Sequence, residues 1–399
     1  MKTPLLLLIP ASILAGAPLL SGAEPWKQHA IDPARPIEHL SGADGVRLGD
    51  VNGDGRLDMV TGWEEGKAIR ICLHPGPGKV TEPWPAITVG TVSSAEDAVF
   101  ADLDEDGQLD VVTATEGKTR TLFVHWSPEA DSIEDESKWK TEAFPGTEGT
   151  QWWMYTLPYD VDRDGDIDLL VGSKNTGGSI TWFRNPGAAS ARDLTKWKST
   201  RVADAGWIMS LRLFESGDQT FLLYSDRKGK ASGLYLAPFL PEAPWIGEPV
   251  CIGAAGEEVM FLDVAHLDDD DRWDVAVAIR PDIVRTYYQP ANPLQPWEDS
   301  ADFDAIPLDR FGTAKAVRIG LLDEDNIPDI AITCERAQGK LKGVFWMNLF
   351  SEITEISDEV GVKYDRIELL DLDEDGDLDL ITCEERAGLG VIWFENPLR

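Results

Sequence analysis

Apolar residues in this chain fall into short runs rather than long stripes. Met59-Val60-Thr61, Val111-Val112-Thr113, Leu169-Leu170-Val171 and Leu380-Ile381-Thr382 are rich in β-branched residues and flanked by polar turns, the pattern of buried strands. Another run precedes each, as in Gly45-Val46-Arg47-Leu48-Gly49. A third kind is aromatic and ends in a turn: Ile180-Thr181-Trp182-Phe183 before Asn185-Pro186, and Val391-Ile392-Trp393-Phe394 before Asn396-Pro397. A fourth opens with tryptophan, at Trp84, Trp139, Trp197, Trp245 and Trp297. The pattern predicts a unit of four strands.

The unit repeats. Between its first two strands lies an acidic loop, intact at Asp50, Asp102, Asp160 and Asp371. Worn copies occupy residues 266–274 and 321–329, and a nearly erased one runs from Leu213 to Phe221. The spacing is roughly 54 residues, so seven units account for residues 24–399 as a single domain. The last unit has no fourth strand after Phe394, while Glu24–Ile31 has the form of one. These observations predict an all-β, seven-bladed β-propeller of four-stranded blades, closed by the N-terminal strand completing the last blade.

The intact loops place carboxylates, or one Asn, at positions 1, 3, 5 and 9 and glycine at position 6. So many acids in nine residues repel one another unless a cation neutralises them, and Ca²⁺ accepts six to eight hard oxygens in a flexible cage. Glycine supplies the sharp turn. An EF-hand would need a Glu at position 12; here that position holds Thr61, Thr113, Val171 and Thr382. The alternative is an acidic turn without metal.

Residues 1–23 read as a signal peptide, with Lys2, an apolar core from Leu5 to Leu20 and the small residues Ser21-Gly22-Ala23. Pro10, Gly16 and Pro18 argue against a transmembrane segment there, and no other run is long enough for one. The expected location is secreted or periplasmic. The net charge of −35, from 71 acids against 36 bases, stays strongly negative even with four divalent ions bound. That argues against nucleic acid, which needs a basic face. Four cysteines are too few for a disulfide framework. Cys383 shares its repeat position with Gly62, Ala114, Gly172, Ala278 and Thr333, a column of small residues that predicts tight packing, although a Cys334–Cys383 bridge is an alternative.

Tandem Asp-x-Asp-x-Asp-Gly-x-x-Asp loops on a seven-fold repeat resemble the FG-GAP or VCBS repeat propellers, similar to the integrin α-chain N-terminal domain. The resemblance covers residues 24–399 and implies about four structural Ca²⁺ sites on one face. Their ligands would be Asp50, Asn52, Asp54 and Asp58; Asp102, Asp104, Asp106 and Asp110; Asp160, Asp162, Asp164 and Asp168; and Asp371, Asp373, Asp375 and Asp379. The worn loops depart from this pattern. The family includes adhesion modules, glycan binders and sugar lyases, so fold alone does not choose a function.

On the opposite face, loops after each second strand and before each first strand converge on the central channel. Candidate ligand contacts there are Trp63, Trp152, Trp153, Trp207, Lys174, Arg280, Glu335 and Glu385, since indole faces pack on sugar C–H groups while charged groups orient hydroxyls. The other reading is that Trp152, Trp153 and Trp207 plug gaps between blades. Arg47, Asp263, Arg318 and Glu368 form a further polar set on first strands, either an ion ladder or an anion-binding patch. There is no histidine pair at metalloprotease spacing, no nucleophile elbow and no phosphate loop. The expected function is therefore a calcium-binding module for glycan or protein ligands, with no catalytic residue assigned. The alternatives are a lyase-like polysaccharide-degrading enzyme and a structural envelope module.

Overall fold

A computed structural model describes residues 26–35, 40–268, 270–300 and 305–399; the expected leader at 1–23 lies outside them. The strands assemble into seven four-stranded antiparallel sheets. Blades one to six occupy residues 43–90, 95–143, 152–204, 208–253, 259–299 and 313–355. Blade seven takes residues 364–395 and borrows its fourth strand, Lys27–Asp32, from the N-terminal end of the described chain. That strand pairs antiparallel with Gly390–Glu395, Lys27 opposite Glu395 and Asp32 opposite Val391. First strands touch first strands around the whole circle, including blade seven against blade one, so they ring the axis. Closure pairs Gly390–Glu395 on both sides, so blade seven has its four strands like the others.

The second strand of each blade carries the core. Asp58–Trp63, Asp110–Thr115, Asp168–Lys174 and Asp379–Glu384 are buried at every position. The expected column of small residues exists because the next blade leans directly on it. A Cβ on Gly62 would meet Ala95 at 2.8 Å, and one on Gly172 would collide with Ile208; both neighbours belong to the following blade's first strand. Cys383 sits in the same column, buried, and like Cys334 it is a free thiol, so no bridge joins them.

The fourth-strand tryptophans are anchors. Trp84, Trp139, Trp197 and Trp297 lie buried just ahead of their strands, and each indole N–H donates to a carbonyl a few residues upstream, at 2.8–3.2 Å. Trp245 departs from the expectation: it sits in a turn, and the fourth strand of blade four starts at Val250. Blade four also shows what remains when the acidic loop is lost. Its strands Ile208–Ser216 and Gln219–Asp226 run into one another through the two-residue turn Gly217-Asp218, with Ser216 paired to Gln219.

Candidate metal centres and the channel mouth

All the acidic loops join a first strand to a second. Position 6 is left-handed throughout, with φ of 86° at Gly55, 85° at Gly107, 101° at Gly165 and 98° at Gly376. The worn loops keep that backbone with Asp271 (φ 59°) and Asn326 (φ 62°), residue types that tolerate it. Within the turn, carboxylates accept amides. Asp50 takes N–H groups from Asp54 and Gly55 at 3.0 and 2.9 Å, and Asp160 takes those of Asp164 and Gly165 at 3.1 and 3.0 Å.

The ninth-position Asp points inward. Asp58 accepts from Val51 N–H at 3.0 Å and His74 N–H at 2.8 Å. Asp168 does the same for Val161 and Asn185, Asp379 for Leu372 and Asn396, and the worn-loop Asp274 for Leu267 and Gln289. It therefore ties the loop to the end of the third strand whether or not the loop has its other acids. Burial raises these carboxyls against the amides that lower them, Asp58 and Asp168 to about 6 and Asp110 and Asp379 to about 7.

Three intact loops bring carboxylate oxygens within 4.8 Å of one another: Asp102, Asp104 and Asp106; Asp160, Asp162 and Asp168; and Asp371, Asp373 and Asp375. Oδ1 of Asp102, Asp104, Asp162 and Asp371 is buried and lacks a hydrogen-bond partner among the described residues. Clustered hard oxygens with free lone pairs fit a divalent cation, and these triads are consistent with Ca²⁺ sites. Two arginines outside the motif also contact the loops. Arg192 of blade three reaches Asp104 and Asp106 of blade two, while Arg184 holds Asp162 and Asp164 at 2.5 and 3.0 Å.

Sequence reading took Asn185 and Asn396 only as turn markers. Asn185 donates to Leu103 O in the preceding blade's loop at 2.8 Å and to Ile167 O in its own at 3.0 Å. Asn396 spans Leu322 O and Leu378 O in the same way. His74 Nε2, at the equivalent place in blade one, lies 3.2 Å from Leu372 O of blade seven. The repeat position just after the third strand thus latches neighbouring blades.

At the other face, the candidates separate. Trp63 is fully buried and Trp153 nearly so, edge-on to Phe183, so neither ring is open to solvent. Trp152 is half-buried under Arg120, whose guanidinium lies 4.8 Å from the ring. Trp207 is half-buried and collects three cations: Arg227 at 4.3 Å and Lys174 and Lys228 at 4.4 Å each. Lys174 also pairs with Glu116 and, at 3.6 Å, with Glu96. Arg280 bridges Glu335 and Glu258, which in turn receives Arg227 at 2.6 Å. Lys363 pairs with the buried Glu385.

Desolvation, reinforced by Glu116 and opposed by Lys174, pushes Glu96 up to about 8. Its neighbours Glu64 and Glu116 complete a carboxylate triad. Below the mouth, Asp44 and Asp365 share a buried site with Lys315, which lies 3.1 Å from Asp365; burial and Asp365 raise Asp44 well above the carboxylate range. Deeper still, Arg47 grips Asp97 with two hydrogen bonds, and Arg318 joins Asp263 to Glu368. This is the ion ladder. A cavity of only about 30 Å³ remains beside Met154, Met209 and Phe261, so the channel is filled below its mouth.

An FG-GAP-like repeat family matches residues 50–113, which hold the loops of blades one and two. No curated protein matches the chain. Among solved structures, BBS1N in complex with ARL6DN is similar with a TM-score of 0.55, at 12% identity over 93% of this chain and 100% of that one. An Agrocybe aegerita lectin, solved for its recognition of non-reducing terminal N-acetylglucosamine, gives a TM-score of 0.49 at 14% identity over 90% and 87% of the two chains. At such identities the likeness concerns the fold. Motif, ring closure and family match agree: the chain carries an FG-GAP-like repeat on a seven-bladed β-propeller.

Proposed function

We propose that this protein is a secreted or periplasmic calcium-binding module whose ligand, a glycan or protein, docks at the channel mouth opposite the acidic loops. About four Ca²⁺ ions, in the loops at Asp50, Asp102, Asp160 and Asp371, serve the scaffold rather than the ligand. The observation that carries the reading is Trp207. It is a large apolar ring left half-exposed amid charged groups on an otherwise filled channel, the mixture of apolar surface and sparse polar groups that ligand sites use. Trp152, Lys174, Arg280, Glu335 and Glu385 line or brace the same mouth.

A second reading is an enzyme of the lyase type. It is favoured by Glu96, which burial and Glu116 hold at about 8 beside Lys174, a value suited to proton transfer near neutrality. A single screen separates the two. The calcium-loaded protein is incubated with neutral and acidic polysaccharides, and both retention and new reducing or unsaturated ends are recorded. Retention without new ends is the expected result; new ends would make the protein an enzyme. Neither signal would remove glycans and leave a protein ligand.

A further inference from the structure

Around the mouth, the residue six places after each loop's ninth position, at or just past the end of the second strand, changes sign in blocks. Blades three, four and five carry Lys174, Arg227 with Lys228, and Arg280. Blades six, seven, one and two carry Glu335, Glu385, Glu64 and Glu116 at the matching places. In a chain of net charge −35, four cations on three consecutive blades are a pronounced exception. They crowd one another. The Lys228 ammonium is pushed down by desolvation and Arg227, with Arg280 and Lys174 adding to the effect. Desolvation and Arg227 likewise bring Arg280 down to about 10. Carboxylates already answer three of the four, Glu116 and Glu96 at Lys174 and Glu258 at Arg227 and Arg280, which leaves Lys228 for an added anion.

The platform among these cations is rigid. Trp207 N–H donates to the buried Asp226 at 2.7 Å, and Trp207 O accepts from Arg227 N–H at 2.7 Å. Asp226 also takes Gly206 N–H at 2.8 Å, and a Cβ at Gly206 would collide with Lys228 O. The backbone that carries the indole is therefore fixed before any ligand arrives, which lowers the ordering cost of binding. Its Nε1 is buried without an acceptor among the described residues. Lys228 is exposed, with no ion pair within 4 Å among the described residues.

We propose that this cationic arc binds an acidic polysaccharide through a uronate unit, its C–H face against the exposed part of the Trp207 ring and its carboxylate at Lys228, the arc's one cation without an ion pair among the described residues. The proposal rests on the binding-module reading above and names its ligand class. The acidic half of the mouth selects the same class. Glu64, Glu96 and Glu116 would repel a polyanion of dense charge, such as an acidic peptide, yet they accept hydrogen bonds from hydroxyls. A chain with isolated carboxylates among many hydroxyls satisfies both halves.

The test is titration of the calcium-loaded full chain, followed by tryptophan fluorescence, with tetragalacturonate, with the neutral galactotetraose and with tetraglutamate. The expected result is at least tenfold tighter binding of the uronate than of either comparison ligand. Binding should weaken on raising salt and fall at least tenfold in Lys228→Glu. That substitution lies on the surface, and an unchanged melting temperature verifies its fold. Trp207→Phe, which keeps a ring, should retain part of the affinity. Equal binding of neutral and acidic sugars, insensitive to Lys228→Glu, would overturn the uronate site while leaving a glycan-binding module standing. Tetraglutamate binding as tightly as the uronate would overturn the sugar class. Failure of every oligosaccharide here, with retention of some other polymer in the wider screen, would overturn this inference alone; failure in both would overturn it together with the glycan ligand and leave a protein one.

Discussion

His125 shows how one side chain can set a pH limit on the fold. It is fully buried on the third strand of blade two, with Thr113 Oγ1 3.0 Å from one ring nitrogen and Thr141 Oγ1 2.8 Å from the other. Its ring presses so closely on Gly90 of blade one that any Cβ there would collide with it. No carboxylate among the described residues faces it, and desolvation alone lowers its pKa to about 3 from an ordinary 6.5. The native state thus binds fewer protons than the unfolded chain between these values. His125 costs no stability above pH 6.5, and stability is lost as pH falls from 6.5 towards 3, by ~1.4 kcal/mol per unit. Urea unfolding at pH 7 and pH 5 should show the wild type losing ~2 kcal/mol more than His125→Gln. Equal losses would mean that the ring is hydrated in solution.

At the scale of the element, each acidic loop is two devices on one turn. The ninth-position Asp closes the blade by accepting a loop amide and an amide past the third strand, while the clustered carboxylates, at positions 1, 3 and 5 in two loops and with Asp168 in blade three, are consistent with a cation site. The worn loop of blade five has kept the first device: Asp274 accepts from Leu267 at 2.9 Å and from Gln289 at 3.0 Å. Asp274→Ala should therefore destabilise by ~2–4 kcal/mol, since two buried amides lose their acceptor, and by the same amount with or without calcium. Asp268→Ala, which removes an exposed turn carboxylate of the same loop, should change stability by less than ~1 kcal/mol. Denaturation of both variants in calcium and in chelator checks this. An Asp274 effect that vanishes in chelator would make it a metal ligand instead. Blade four supports the division, because without either device its loop has shrunk to Gly217-Asp218.

For the whole molecule, the question is what holds an acidic ring closed. Lys27–Asp32 completes blade seven, and the latches at His74, Asn185 and Asn396 cross from blade to blade. The latches end on carbonyls of acidic loops, so order in a loop is felt by its neighbour. Cations bound to the native state alone add RT ln(1 + [L]/Kd) per site, ~2.7 kcal/mol at a hundredfold excess. Removing calcium with chelator should lower the melting temperature by several degrees, and calcium should restore it better than magnesium, which dehydrates reluctantly. An unchanged melting temperature would reduce the loops to amide-bonded turns.

The sequence alone carried the architecture, because a local pattern was written seven times. Alternating apolar runs, Asn-Pro and Gly turns, and one loop signature are all short-range, and their period fixes the blade count. The small residues at Gly62 and Gly172 even disclosed the tight seam between blades. The sequence did not disclose which aromatic rings face solvent. Trp63, Trp153 and Trp207 stand near strand ends on the same face, yet two are buried in cores shared with the preceding blade and one is half-exposed. Exposure depends on neighbours some fifty residues away, and no local pattern encodes them. The same holds for the latches, whose partners lie 74, 82 and 298 residues apart in the chain. It holds also for the segregation of charge, since Lys174, Lys228 and Arg280 become one cluster only when three blades stand side by side.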